Sequence, residues 1–263
     1  MSFKNGLLIL DERDTLQSLE CLLAQARAMG VDEITAVAAG GVTPPGHGVP
    51  AGPGLMLLRE REIRDAFRRL HEEVAAHTRG VSLDWRAEVN ADPTGFVLDQ
   101  AARSDLMILA RHQGGPQHLD LGRLIVAAGR PVLSLPAAFE PTPFVRTAIG
   151  YRRTRESRLA IAAALPALRR SSLVLVIGIG DECSQSDLAD VVAHLASQGV
   201  HARSRHQTGR APTAAALTEA ARDEGAQLLV SGAYGHSRSQ EWLFGGITQD
   251  LLSNSPLPWL TIH

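Results

Sequence analysis

The feature that most constrains this chain is that much of it is written twice. Residues 105–111 (DLMILAR) align with 227–233 (QLLVSGA), 130–135 (RPVLSL) with 257–262 (LPWLTI), and 6–10 (GLLIL) with 146–150 (RTAIG). The two halves keep one order of elements and are nearly equal in length. Between them lies 135–143, LPAAFEPTP, with Pro136, Pro141 and Pro143. Proline fixes φ and donates no backbone hydrogen bond, so this stretch continues neither a helix nor a strand and reads as a linker. The chain is therefore expected to be two tandem copies of one domain, over 1–138 and 144–263.

Inside each copy, short apolar runs alternate with amphipathic stretches. The first copy reads as strand 7–10, then a helix at 15–29 with Leu16, Leu19, Leu22, Leu23 and Ala26 on one stripe and Gly30 as its C-terminal cap. Strand 34–38 and a Gly/Pro-rich loop at 40–54 follow. A long helix at 55–77 carries Ile63, Phe67, Leu70 and Val74 on one face and mixed charges on the other. In strand 83–89, Leu83, Trp85, Ala87 and Val89 alternate with polar residues, which places it near a sheet edge. Asp92-Pro93 starts a helix running to 103, and strand 105–110, a short helix at 121–128 and strand 131–135 close the copy. The second copy repeats the order: strand 146–150, helix 154–169, strand 173–179, helix 186–198 capped by Gly199, strand 200–206, helix 212–224, strand 227–231, helix 245–254 and strand 258–262. This alternation predicts an α/β protein of two Rossmann-like domains. Each is a five-stranded, mostly parallel sheet with helices on both faces.

Composition narrows the function classes. Of 263 residues, 44% are hydrophobic but only 4% aromatic, so Ala, Leu, Val and Ile fill the core. The formal net charge of -2, with both signs interspersed, argues against nucleic acid as the main partner. No run approaches the ~20 apolar residues of a membrane span, and the first ten residues do not resemble a signal peptide. Cys21 and Cys183 are far apart and form no disulfide framework, which fits a reducing, cytoplasmic setting. Cys21 sits among Leu19, Leu22 and Leu23 and is expected to pack in the core. His71 with His77, and His201 with His206, are spaced so that neither pair shares a face, so no metal site is expected. The chain has no G-x-S-x-G elbow, no Walker A loop and no nominated nucleophile–base pair, so no enzyme activity is expected from its motifs.

One stretch points to a ligand. After the apolar run 228–230 come Ser231, Gly232, Ala233 and Gly235, then Gly245-Gly246, and Ile247-Thr248 leads into a helical pattern with Leu251 and Leu252. Strand, glycine loop and helix start is a geometry that holds phosphate: glycines admit close backbone approach and the helix N-terminus presents free N–H groups. Gly232, Gly235, Gly245 and Gly246 are also what tight turns alone would require. Tyr234, His236 and Arg238 lie on the same loop, and one of His236 and Arg238 is expected to face a ligand.

The spacing G-x2-G-x9-G at Gly232, Gly235 and Gly245, followed by Thr248, resembles the nucleotide-binding signature of the universal stress protein family. The resemblance covers nearly the whole chain as a tandem, and is strongest over 226–263. It implies the adenine nucleotide alpha hydrolase-like variant of the Rossmann fold. It also implies ATP, with Mg²⁺ and at most slow hydrolysis, at Gly232, Gly235, Gly245 and Thr248; His236 on the loop, Gly246 beside the third glycine and Arg152 after the first strand of the second copy are further candidate contacts from their position and chemistry. Two departures bear on this. Family members that bind ATP usually carry Ser or Thr after the third glycine, where this chain has Gly246. They also carry an Asp after the first strand. The first copy has Asp11 there, while the second has Tyr151-Arg152-Arg153. Arginine accepts no hydrogen bond but pairs with phosphate or carboxylate. Asp11 and Asp14 are read first as caps of the first helix. Two functions follow: a stress-response module binding an adenine nucleotide, or a tandem stress protein that works through protein contacts or another small anion. The resemblance further implies pairing of 132–135 with 259–262 as an intramolecular pseudo-dimer, with homodimerisation beyond that left open.

Overall fold

The computed structural model describes residues 3–42, 53–77, 83–112, 119–209, 213–234 and 246–263. In chain order the first half contains β1 (Asn5–Leu10), α1 (Leu16–Ala28), β2 (Glu33–Gly41), α2 (Pro53–His77), β3 (Leu83–Asn90), α3 (Pro93–Ala101), β4 (Leu106–Ala110), α4 (Leu121–Ala127) and β5 (Val132–Leu135). The second half contains β6 (Arg146–Gly150), α5 (Arg155–Leu168), β7 (Leu173–Ile179), α6 (Gln185–Ser197), β8 (Ala202–Gln207), α7 (Ala214–Asp223), β9 (Leu228–Gly232), α8 (Gly246–Asn254) and β10 (Trp259–Ile262).

Among the described residues, all ten strands join one sheet in the order β3-β2-β1-β4-β5-β10-β9-β6-β7-β8. Pairing is parallel within each half and antiparallel only at the seam, where Trp259 faces Ser134, Leu260 faces Leu133 and Thr261 faces Val132. The expected internal pseudo-dimer is thus a continuous sheet, and β3 falls at its edge as the alternation in 83–89 predicts.

The strands are apolar on both sides because both faces are covered. Leu8 and Leu10 of β1 point into one core with Leu19, Leu22, Leu23 and Ala26 of α1 and Ile63, Phe67, Leu70 and Val74 of α2; α5 and α6 cover the same face in the second half. Leu7 and Ile9 point into the opposite core with α3 and α4, continued by α7 and α8. Gly30 and Gly199 follow the last turns of α1 and α6 at φ +78 and +75, the left-handed conformation that glycine adopts without strain. The charged face of α2 is laced by i,i+3 and i,i+4 pairs, Arg59–Glu62, Arg64–Glu60 and Arg68–Asp65. Among the described residues no helix is long and apolar enough to cross a membrane.

Three expectations need correction. The Gly/Pro-rich loop begins later than read. Gly40 and Gly41 belong to β2, where a Cβ on Gly40 would meet Ile63 Cγ2 at 2.5 Å, so glycine lets α2 lie close on the sheet. Residues 43–52 lie outside the described residues. Asp11 and Asp14 do not cap α1: Thr15 does, its side chain accepting from Ser18 N while the Ser18 hydroxyl accepts from Thr15 N. Cys21 is only half-buried; its thiol donates to the Phe139 carbonyl at 3.1 Å, tying α1 to the linker.

Candidate functional site

In the second half, β6 pairs with β7 on one side and with β9 on the other. The chain leaves these two neighbours toward opposite faces, and at such a switch point a crevice opens beyond the carboxyl ends of the strands. A cavity of about 300 Å³ lies there, walled by Ile177 and Ile179 of β7, Leu217 of α7, the end of β9 and the first turn of α8. Arg152, Gly232, Gly246 and Thr248 all line it, so four of the sequence-nominated residues come together. Gly235, His236 and Gly245 lie outside the described residues.

Each of these residues has a local reason for its place. Gly232 ends β9 against the first turn of α5: a Cβ there would sit 2.5 Å from the Glu156 carbonyl carbon and 2.6 Å from its Cβ. Packing alone therefore demands glycine at this position, whatever binds. Gly246 differs, because among the described residues a Cβ there meets nothing within 4 Å. As the first residue of α8, it leaves open space where backbone N–H groups gather at the positive end of the helix. Thr248 is buried, and its Oγ1 accepts from the Tyr234 N–H at 3.2 Å, pinning the loop to the helix. Tyr234 holds φ 57, a left-handed conformation that costs a non-glycine residue about 1–3 kcal/mol. Its ring meets His263 edge-on at 6.2 Å, and burial pushes its phenol up from the ordinary value.

The charge on the rim is already partly spoken for. Arg152 pairs with Glu182, and Arg153 lies 3.8 Å from Asp187. Of the two options open to Arg152 from sequence, phosphate or carboxylate, the carboxylate is in place. Sequence reasoning did not single out Glu156, Ser157 or Thr213, which also line the cavity. Most of these stand at helix starts or strand ends on the carboxyl edge, so counting polar residues at every such position would have found them. Glu156 matters most, because it brings a carboxylate to a site whose first strand is followed by Tyr151 rather than an acid.

The first half has a counterpart at its own switch point, between β1 and β4, but it is nearly closed. The cavity there is about 20 Å³, bounded by Ile9, Asp11, Arg13, Asp14, Leu109, Ala110, Leu119 and Leu121. The Arg13 guanidinium sits on the Asp11 carboxylate. Asp11 is thus engaged within its own loop rather than presented to a nucleoside. Next to this site, Arg111 turns toward the second half and is almost wholly buried. It donates to the carbonyls of Leu251 (2.7 Å), Ser255 (2.7 Å) and Leu257 (3.1 Å) around the C-terminal end of α8. Burial pushes its pKa down to about 10, so it remains charged at neutral pH.

Taken together, each half is a doubly wound α/β domain with its crevice at the carboxyl ends of the strands, and one of the two crevices is open. Residues 145–263 match the universal stress protein family, and the C-terminal half of the chain belongs to that family; the N-terminal half repeats its fold. The whole tandem resembles the solved structure of a universal stress protein from Archaeoglobus fulgidus, at 13% identity and a TM-score of 0.74, covering 99% of this chain and 97% of that one. A Pseudomonas aeruginosa protein of unknown function is similar at 17% identity and a TM-score of 0.63, covering 99% and 92%. At such identities the likeness concerns the fold. No curated protein matches the chain.

Proposed function

We propose that the C-terminal half binds an adenine nucleotide, with the ring between the apolar walls of the crevice and the phosphates over the first turn of α8. The observation that carries this reading is the open crevice of about 300 Å³ at the switch point, into which the N-terminal turn of a nine-residue helix faces. That volume is at the small end of the range for small-molecule sites. Ile177, Ile179 and Leu217 offer apolar surface to a planar base, and Glu156 offers an acceptor to its amine or to a ribose hydroxyl. ATP with Mg²⁺ is the nucleotide we favour, in a binding rather than a catalytic role. The second reading, another small anion or action through protein contacts, is favoured by the pairing of Arg152 with Glu182 and by the absence of a hydroxyl at Gly246.

Gly246→Asp separates the two. No described residue lies within 4 Å of a Cβ at Gly246, so the side chain is expected to fit, and an acid in the first turn favours the helix by about 0.3–1 kcal/mol. The same acid repels phosphate. Wild type at 100 times the dissociation constant of MgATP gains about 2.7 kcal/mol, a rise of roughly 5 °C or more in melting temperature. Gly246→Asp is expected to melt no lower than wild type without ligand and to lose most of that rise. A wild type that does not shift at millimolar MgATP sinks the nucleotide reading.

A further inference from the structure

The nearly closed crevice of the first half is built differently from its partner. Asp11 follows β1, Asp14 precedes α1, and His112 follows β4, so side chains from two adjacent strand ends converge at the switch point. Among the described residues they form the one cluster of three metal-ligand side chains, each giving one atom, with those atoms all within 4.8 Å of one another. His112 Nε2 lies 3.1 Å from Asp14 Oδ1 and 3.7 Å from Asp11 Oδ1. Ligands 2.0–2.2 Å from a tetrahedral zinc ion stand about 3.4 Å apart, so these separations already suit one ion.

Three further observations point inward. The Asp14 side chain is only 2% exposed, yet its Oδ1 makes no hydrogen bond. His112 Nε2, facing it, is likewise buried without one. At 3.1 Å the two atoms form a buried ion pair whose geometry falls short of an aligned hydrogen bond, and an ion that displaces the shared proton would take both as ligands. The carboxylates are held by their own loop: Asp14 Oδ2 accepts from Asp11 N at 2.8 Å, and Arg13 donates to both oxygens of Asp11, its backbone N–H reaching Oδ1 at 2.8 Å. Bonds of this kind orient ligating side chains in metal sites. Finally, a cavity of about 20 Å³ borders Asp11 and Asp14, though His112 is not in its lining; it has no room for a nucleotide but exceeds the 10–15 Å³ occupied by one water-sized probe.

We infer that Asp11, Asp14 and His112 form a binding site for a single divalent transition-metal ion, zinc in the first instance. One imidazole and two carboxylates suit a borderline cation better than calcium or magnesium, which prefer all-oxygen shells. The ion would tie β1, α1 and β4 together where the other half keeps a ligand crevice. The inference does not depend on nucleotide binding in the second half.

The test is calorimetric titration of the untagged, EDTA-treated full chain with Zn²⁺ alone. One ion per chain is expected, with Asp14→Asn and His112→Gln each weakening binding about tenfold or more. Wild-type chain loaded with Co²⁺ or Zn²⁺ and studied by X-ray absorption is expected to show a nitrogen and oxygen shell with one imidazole and no sulfur. This second measurement holds even where a variant fails to fold. Absence of binding, variants that bind like wild type, or a shell with sulfur or several imidazoles would each overturn the assignment.

Discussion

Replacing Arg111 by Met is expected to lower the melting temperature of the whole chain by roughly 8 °C, about 3 kcal/mol at this size. Methionine keeps much of the length and apolar stem but removes every donor. The carbonyls of Leu251, Ser255 and Leu257 would then lose a charged partner in a buried place. Hydrogen bonds to charged groups contribute about 1.5–3 kcal/mol, and a buried acceptor left unmet costs a further fraction of that. Arg111→Lys should fall between, because a single ammonium cannot span carbonyls that a planar fork reaches together. Scanning calorimetry of the three proteins reads the series directly. A Met variant as stable as wild type would mean that water replaces the guanidinium at the end of α8.

The second large effect is expected at Gly232. Valine there would press its Cβ to 2.5 Å from the Glu156 carbonyl carbon, and backbone at the first turn of a helix does not swing aside as a side-chain tip does. β9 is also central, paired with β6 and β10. Gly232→Val is expected to cost about 3 kcal/mol or more and to unfold the second half first, read as lost hydrogen-exchange protection in β6 and β9. Gly246→Ala is the internal contrast. Its Cβ meets nothing, so it should leave stability unchanged or raise it by up to about 1 kcal/mol. Two glycines of one motif thus answer oppositely, and a Gly232→Ala protein as stable as wild type would contradict the packing account.

The contrast shows what a sequence can carry. The tandem and the order of strands and helices were legible because periodicity and repeats are local signals, whereas the pairing of 132–135 with 259–262 followed from the family resemblance. Helix ends marked by Gly30, Gly199 and Asp92 were legible for the same reason. Gly232, Gly246 and Thr248 were placed at one site by the glycine spacing and Arg152 by its position after the first strand of the second copy, and the structure brings all four to one crevice. The cause of Gly232 was not legible, since its neighbour Glu156 is remote in sequence. Asp11 and Asp14 looked like caps because acids before a helix usually are; only the fold reveals His112 beside them, about a hundred residues on. Arg111 carried no sequence signal at all, because its partners lie beyond residue 250. His236, Gly235 and Gly245 lie outside the described residues, so their roles rest on spacing.

The antiparallel seam between β5 and β10 has a consequence for symmetry. In a dimer of identical chains every residue at the contact appears twice, and diluting the protein separates the partners. Here the two copies are joined covalently, so their pairing is unimolecular and their ratio stays one to one at any concentration. A change in one copy is not imposed on the other. Arg111 faces α8 in one direction, while the equivalent position in the other copy is Ala233, a substitution that a true twofold axis would forbid. Fusion has thus let one half keep a crevice while the other fills its own with charge.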